Sequence, residues 1–307
     1  MRIGVTVTQN PVRKKKIVRG ATIFSCIMLL PVIFHFLVFY CGVNLNSILL
    51  AFTENTPDGG QQFSLANFRY FFKEMGKSDS AVYMALFNTL SYYLMHQIKF
   101  ALTSVVAYFF YKKVYGHKFY KIIFFLPSMI PGMVYVSIFK NFITTYGPLY
   151  TLLNNLFGFE MPSLMALAET AKPTIMFYAF WSGFGPQLLI QVGAMNRIPG
   201  EVIDAAKLDG CVGAKEFFYI VFPLIFETIA TYFLLGIATI FQSTGPFLFF
   251  VGDSMPETHT LQYWIFTQTM GGKTNYPAAI GLIFSCAALP LVLISRYLLN
   301  KVETVTY

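Results

Sequence analysis

The residues best suited to specific chemistry lie in a short polar loop, residues 196–223, between two apolar stretches. Proline suits the first turn of a helix and glycine supplies a left-handed residue that ends one, so Pro199 and Gly210 bracket a short helix. Small side chains at Ala205 and Ala206 would allow another protein to approach closely. Three carboxylates lie between Pro199 and Gly210, namely Glu201, Asp204 and Asp209. Two interpretations are open on this pattern: docking into a basic groove of a partner, or a loop that merely lies on the surface.

A second set of polar residues interrupts the apolar stretches. Lys99 is the one Lys or Arg well inside such a stretch, and charges at that depth usually face protein, water or a partner. Rings and amides suited to a sugar route are Tyr178, Trp181, Gln187, Gln191, Tyr232 and Gln242. The alternatives are interface anchoring and interhelical hydrogen bonding for these six, and snorkelling or packing within a complex for Lys99.

Patterns typical of enzymes and metal sites are missing from the sequence. No Walker A pattern, G-x-x-x-x-G-K-[ST], occurs, so ATP hydrolysis by this chain is not expected. The four histidines, His35, His96, His117 and His259, have no spacing typical of a metal site. Nothing brings Ser, His and Asp together as a catalytic group. We therefore expect no enzymatic activity, metal or cofactor in this chain.

The composition explains where these residues must sit. Of 307 residues, 56% are hydrophobic and only 12% are charged, against roughly 25% in ordinary soluble domains. So few charged groups cannot cover a soluble protein of this size. Composition thus disfavours a soluble enzyme and a disordered chain, and it makes the net charge of +8 an indicator of membrane topology rather than of nucleic-acid binding. It favours a protein with several membrane spans.

Six apolar stretches are long enough to span a membrane as helices. We place them at 21–42, 82–111, 121–142, 173–195, 224–250 and 277–299. The stretch 141–159 lacks charge but is rich in Asn, Thr, Gly and Pro, so it is predicted to be interfacial or re-entrant. The predicted organisation is an N-terminal tail, 1–20, a six-helix domain, 21–300, and a C-terminal tail, 301–307.

Basic residues are distributed unequally between the two predicted faces. With the N-terminus inside, the inner segments carry 15 Lys and Arg and the outer segments carry 6. Such an excess marks the cytoplasmic side. Both termini are therefore predicted to be cytoplasmic.

The polar loop resembles the EAA loop, the ATPase-coupling element of ABC importer permeases. The matching residues are Ile198-Pro199, Asp204-Ala205-Ala206, Asp209-Gly210-Cys211, Phe217, Ile220 and Phe222-Pro223. Further short matches place the chain near the carbohydrate-uptake, maltose-type branch. They are Leu65-Ala66-Asn67-Phe68, Asn88-Thr89-Leu90, Phe124-Phe125-Leu126-Pro127, Ile130-Pro131, Trp181-Ser182-Gly183-Phe184 and Thr258-His259-Thr260-Leu261-Gln262-Tyr263. The departures from the EAA pattern are Asp204 for Glu, Cys211 for Ala and Phe222 for Leu.

The resemblance implies an all-α type I importer permease in a bacterial inner membrane. Its partners would be a second, similar permease, a cytoplasmic ATPase dimer holding ATP and Mg, an external solute-binding protein, and lipid. Asp204 would pair with a basic residue of the ATPase, and Gly210 would set the bend of the loop. The chain would form half of a sugar pathway.

Three alternatives remain open on the sequence. Importers of other solutes, such as peptides, polyamines or a glycerol phosphodiester, share the coupling loop. An ion-driven secondary transporter would predict paired intramembrane carboxylates and internal repeats. A membrane enzyme would need clustered polar catalytic residues at an interface.

Overall fold

The computed structural model describes residues 11–56, 60–158, 162–250 and 254–302, a chain built almost entirely of helices. Of the predicted tails, 1–20 and 301–307, residues 1–10 and 303–307 lie outside these ranges. The helices of the first half are α1 Pro11–His35, α2 Val43–Ala51, α3 Ala66–Met75, α4 Ala81–Tyr111, α5 His117–Met129, α6 Gly132–Ile143 and α7 Pro148–Phe157. Those of the second half are α8 Ala168–Ser182, α9 Phe184–Met195, α10 Gly200–Leu208, α11 Ala214–Glu216, α12 Phe222–Leu224, α13 Phe226–Ala238, α14 Phe247–Phe250, α15 Leu261–Met270 and α16 Asn275–Leu299.

The first predicted span is longer than expected. A π-helical segment, Phe36–Gly42, joins α1 to α2, so the helix runs on to Ala51, beyond the predicted end at residue 42. The apolar run Val43–Ala51 continues it. Most side chains from residue 22 onward are exposed on this chain alone, as suits a helix surrounded by lipid or a partner.

A small hairpin follows the long first helix. Strands β1 Thr53–Asn55 and β2 Gln61–Phe63 pair antiparallel. The Asn67 amide donates to the carbonyls of Ala51 and Thr53 at 3.2 and 2.9 Å, which satisfies carbonyls that the end of a helix leaves free. This contact explains the Asn in the Leu65–Phe68 motif.

Helix α4 is the central helix, 31 residues long, and it packs along α9. Its inward face carries several polar side chains among apolar ones. Asn88, Thr89, Lys99, Thr103 and Ser104 are all buried on it. A helix with one polar face turned inward suits a protein that encloses a polar route within an apolar surround.

Three predicted spans are broken rather than straight. In the third, α5 and the α6–α7 helical segment meet at 108°, because Pro131 cannot continue the α5 helix. The fourth is divided into α8 and α9 at Gly183. The fifth bends by 69° between α12 and α13, and α13 ends at Ala238 rather than continuing to residue 250.

The count of six spans therefore stays a prediction. By length and composition, two helical segments of the described chain can cross a membrane, Thr22–Ala51 and Asn275–Leu299, or up to four if each bent pair counts as one. The others either break or carry buried polar groups that lower their apolar content. Residues 148–157 of the predicted interfacial stretch form helix α7.

Two of the sequence motifs meet at one end of the bundle. The Asn88 amide donates to the carbonyls of Glu257 and His259 at 2.7 and 2.9 Å. Thr89 Oγ1 accepts the Leu261 N–H at 2.8 Å. Side chains of α4 thus form hydrogen bonds with backbone groups of the segment that leads into α15, about 170 residues away.

Candidate functional site

The 196–223 loop contains the predicted bend. Helix α10 begins at Gly200, directly after Pro199, and ends at Leu208. Gly210 is left-handed, with φ +72°, as predicted. The Cys211 N–H donates to Ala206 O at 2.8 Å and the Gly210 N–H donates to Lys207 O at 3.0 Å, which is the Schellman arrangement.

The second helix of the loop is also present but is not uniform. It begins at Ala214 after Gly213, with φ +63°, and passes through a π-helical segment, Phe217–Val221, into α12. The extra residue of the π turn leaves Phe217 and Val221 buried together.

The underside of the loop is part of the core. Ile198, Ile203, Phe217 and Val221 are buried in one apolar cluster with residues of α4 and α9, which include Ala107, Leu188 and Met195. Burying large apolar side chains stabilises such a contact by roughly 1.5 to 3 kcal/mol each. The loop is therefore attached to the two central helices and has to move with them.

Two polar contacts reinforce this attachment. Tyr108 Oη donates to Gly213 O at 3.0 Å. One turn further along α4, Lys112 Nζ donates to both carboxylate oxygens of Glu216 at 2.8 and 2.9 Å, and the Glu216 side chain is only 1% exposed. This pair was not predicted, because no local sequence pattern relates two residues that are 104 positions apart.

The opposite side of the loop faces outward. Glu201, Asp204, Ala205, Asp209 and Gly210 are all exposed. Ala206 differs from the expectation that both alanines offer close approach, because it is buried at 6% exposure. Successive residues of a helix point about 100° apart, so only Ala205 of this pair remains available to a partner.

Asp204 already has a partner within the chain. Lys207 Nζ lies 2.7 Å from its carboxylate, and this hydrogen bond lowers the pKa of Asp204 and raises the pKa of Lys207. Both side chains are well exposed, so the pair can open at little cost. A basic residue of a docking protein would replace Lys207.

A cavity of about 210 Å³ lies further along α4. We call it the Lys99 cavity. It is lined by Thr89, Tyr92, Tyr93, Met95, His96, Lys99, Ala179, Gly236, Thr239, Ile240, Ser243, Gly245, Pro246 and Thr260. Hydroxyls, aromatic rings and a cation share its wall, which is the mixture that polar ligands with apolar faces require.

Lys99 reaches the break between α8 and α9. Its side chain is 5% exposed, and Nζ lies 3.5 Å from Ala179 O. Ala179 is in the last turn of α8, whose carbonyls lack partners within the helix and form its negative end. Gly183 leaves the necessary room, since a β-carbon there would overlap Lys99 Nζ.

The other six predicted route residues do not line the Lys99 cavity. Tyr178 is buried among Tyr135, Phe139 and Phe250, with ring centroids 4.9 to 5.3 Å away. Trp181 lies near Phe124 and Tyr232 stacks on Phe100. Aromatic packing accounts for these three rings in this chain.

The amide residues differ among themselves. Gln187 lies 2.9 Å from Nε2 of His96, which does line the cavity, so Gln187 orients a cavity residue. Gln191 is 1% exposed and donates to Phe100 O at 3.4 Å, an interhelical bond. Gln242 is exposed.

Several residues of the Lys99 cavity were not predicted from the sequence. Tyr92 and His96 lie seven and three residues before Lys99 on α4, which places all three side chains on one helical face. This spacing relative to Lys99 could have indicated that Tyr92 and His96 belong to the same site. Thr239 and Ser243 had no such indication, because they follow the end of α13 that the sequence did not predict.

A protein-family comparison matches two thirds of the chain. Residues 99–304 match the family described as "Binding-protein-dependent transport system inner membrane component". This range begins at Lys99 and includes the whole 196–223 loop.

Several curated relatives are maltose-type permeases. The chain is 24% identical over 223 residues to the maltose/maltodextrin transport system permease protein MalF of Yersinia pestis, covering 69% of this chain and 41% of that protein. It is 25% identical over 198 residues to the maltodextrin transport system permease protein MdxF of Bacillus subtilis strain 168, covering 59% and 45%. The chain thus spans less than half the length of these relatives.

Solved structures share the fold. One chain of a bacterial ABC transporter involved in the import of the acidic polysaccharide alginate superposes with a TM-score of 0.80 at 20% identity, covering 94% of this chain and 98% of that one. A chain of a bacterial alginate ABC transporter in complex with alginate pentasaccharide-bound periplasmic protein gives the same TM-score, with 95% and 99% covered. At this identity the likeness establishes the helical permease fold.

Proposed function

The chain belongs to the family of binding-protein-dependent transport system inner membrane components, and from that membership we propose that it is one permease subunit of an ABC importer for a saccharide. A transport component of this family is not an enzyme. The proposal concerns what the chain carries and which surface couples it to ATP.

The observation that carries the coupling proposal is the two-sided geometry of the 196–223 loop. Its inner side is buried against α4 and α9, while its outer side presents three carboxylates and the exposed Leu208, 89% accessible, next to the Gly210 turn. An apolar tip surrounded by charge is typical of a docking surface. Motion of a docked ATPase would pass through the loop to the two central helices.

Sugar as the cargo is supported by the relatives. The matched proteins are named for the transport of maltose, maltodextrin and alginate, all of them carbohydrates. Rings, hydroxyls and a cation around the Lys99 cavity suit a saccharide, whose C–H faces stack on aromatic rings and whose hydroxyls form hydrogen bonds.

The proposed complex follows from the same reasoning. A second permease completes the pathway, an ATPase dimer binds ATP and Mg²⁺, and an external solute-binding protein delivers the sugar. Both termini and the 196–223 loop are cytoplasmic, as the excess of basic residues indicates. The first helix, whose apolar surface is exposed on this chain, contacts lipid or the second permease.

Within this complex the chain's own residues have distinct tasks. Asp204 exchanges Lys207 for a basic residue of the ATPase, and Ala205 and Gly210 allow the close approach. Glu201 and Asp209 add charge to the same surface. The breaks at Pro131 and Gly183 divide the helices around the pathway into segments that rigid-body motion can reorient.

Purification of the tagged chain from its native membrane tests the proposal. We expect an ATPase and a second permease to copurify, and saccharide uptake into proteoliposomes holding this complex and the binding protein to require ATP. The control is the Glu227→Gln variant, which removes a carboxylate outside the 196–223 loop and should retain the ATPase. Uptake that proceeds without ATP in response to an ion gradient would contradict the proposal.

A further inference from the structure

The charge of the Lys99 cavity is not balanced by its own wall. Lys99 and His96 are the residues of the wall that can carry positive charge. Neither Asp nor Glu lines the cavity in the part of the chain that the structure describes. A cation held at low exposure is costly unless an anion or strong dipole compensates it.

The compensation that the described residues provide is small. Within 11–56, 60–158, 162–250 and 254–302, the hydrogen bond recorded for Lys99 Nζ is the one to Ala179 O, at 3.5 Å, the outer limit for such a bond. An ammonium has three donors. Lys99 therefore lines the cavity with donors available to a further acceptor.

The negative end of α8 lies on one side of the break beside Lys99, and on the other side the start of α9 favours negative charge. Helix α9, 12 residues long, begins at Phe184 directly after the break, and no side chain caps its N-terminal end. The first N–H groups of a helix form its positive end. A buried ammonium and an uncapped helix N-terminus thus meet at Gly183, where a side chain would displace the ammonium.

From these features we propose, resting on the importer function above, that the solute carried past Lys99 is an anionic saccharide whose carboxylate or phosphate group pairs with the ammonium. Lys99 then determines specificity. An anion satisfies its free donors, whereas a neutral sugar passes the cavity with the charge uncompensated and a cationic polyamine is repelled. Thr239 and Ser243 are placed to bond the sugar hydroxyls.

Uptake by the intact importer complex, reconstituted with ATP, tests this specificity. The probes are trigalacturonate, glucose 6-phosphate and maltotriose, which separate carboxylate, phosphate and neutral saccharide. At least one anionic probe should enter at least about tenfold faster than maltotriose, since charge-assisted hydrogen bonds are stronger than neutral ones. The anionic probe that enters faster identifies the group that Lys99 binds.

Substitutions of Lys99 test whether this residue causes the preference for anionic saccharides. Lys99→Met should reduce uptake of the preferred anion about tenfold or more and change maltotriose uptake less than about threefold. Lys99→Arg should keep most of the preference, because it keeps the charge. Lys140→Met is the matched control, since Lys140 bonds Phe250 O at 2.9 Å outside the cavity and its loss should leave the preference unchanged.

Several results would overturn the inference. The first is that the unmodified complex takes up maltotriose as fast as, or faster than, both anionic probes. The second is that Lys99→Met reduces the uptake of all probes equally. The third is that the second permease is lost from the Lys99→Met complex, which would make Lys99 an assembly residue. ATP-dependent uptake of no anionic probe would overturn it as well. In each case a copurifying ATPase would leave the importer proposal standing, whereas absence of the ATPase would refute that proposal instead.

Discussion

Lys112 and Glu216 join the end of α4 to the 196–223 loop by two hydrogen bonds of 2.8 and 2.9 Å. The Glu216 carboxylate is almost fully buried, and the Lys112 side chain is 29% exposed. A carboxylate removed from water requires a charged partner, so this pair holds the loop against the central helix. The link is placed to transmit movement between the two.

Glu216→Gln is expected to loosen the loop and destabilise the protein. Removing one member of a buried ion pair costs about 3 kcal/mol, and partial exposure of Lys112 keeps the loss near that lower end of the usual range. Thermal unfolding of the solubilised protein should show a lower midpoint, and ATP hydrolysis by the complex should become less dependent on substrate.

Two further variants determine whether the pair itself is responsible. Lys112→Met combined with Glu216→Gln should be less destabilising than the sum of the single changes, since neither then leaves an unpaired charge. Asp204→Asn breaks an exposed pair and should leave the unfolding midpoint unchanged while weakening ATPase association. Strict additivity would show that Lys112 and Glu216 act independently.

Gly210→Val should uncouple transport from ATP hydrolysis and weaken binding of the ATPase. The left-handed φ of +72° costs a branched residue roughly 1 kcal/mol or more, and the Schellman turn would unwind. An added β-carbon meets no atom of this chain within 4 Å, so the defect arises from backbone geometry and from the docking surface.

Gly200→Ala provides the matched control for Gly210→Val. Gly200 begins the helix that the Gly210 turn follows, has no positive φ, and has equally open space around it. ATPase copurification and ATP-driven uptake should both be close to normal in this variant. If the Gly210→Val variant still couples ATP hydrolysis to transport normally, the Gly210 turn is not part of the ATPase docking surface.

Gly183→Ala should impair uptake through Lys99. The added methyl group would occupy the position of the ammonium and displace it from the break between α8 and α9. Uptake of the preferred solute should fall by about the same factor as in Lys99→Met, because both changes remove the same contact. In the Lys99→Met background, Gly183→Ala should add little further loss.

Gly193→Ala is the comparison for this change. Gly193 lies in α9 with no neighbour within 4 Å of an added β-carbon, so uptake should stay normal. A full additional loss in the Gly183→Ala, Lys99→Met double variant would show that Gly183 acts on something other than Lys99.

Asn88→Ala should destabilise the joint between α4 and the segment before α15. It would leave the Glu257 and His259 carbonyls without their amide donor, a loss of about 2 kcal/mol for a buried site. Thermal unfolding measures it. Asn44→Ala removes an exposed amide bonded within its own helix and should shift the midpoint much less.

Local sequence signals predicted the 196–223 loop well. Pro199 and Gly210 act over a few residues through fixed φ and the left-handed conformation, so the short helix and its turn follow from the chain itself. The helical character of the apolar runs follows in the same way. The breaks within the spans were not predicted, and the room that Gly183 leaves for Lys99 is visible only once the helices are packed together.

Composition and short-range backbone preferences are enough to predict a mostly helical membrane protein with a structured polar loop. The pairing of Glu216 with Lys112, the inward position of Ala206 and the cavity around Lys99, which is lined by four separate segments, are evident only in the folded chain. The cavity brings Lys99 together with Thr260, about 160 residues away. Burial and charge pairing between distant segments depend on how whole helices pack, which no local pattern records.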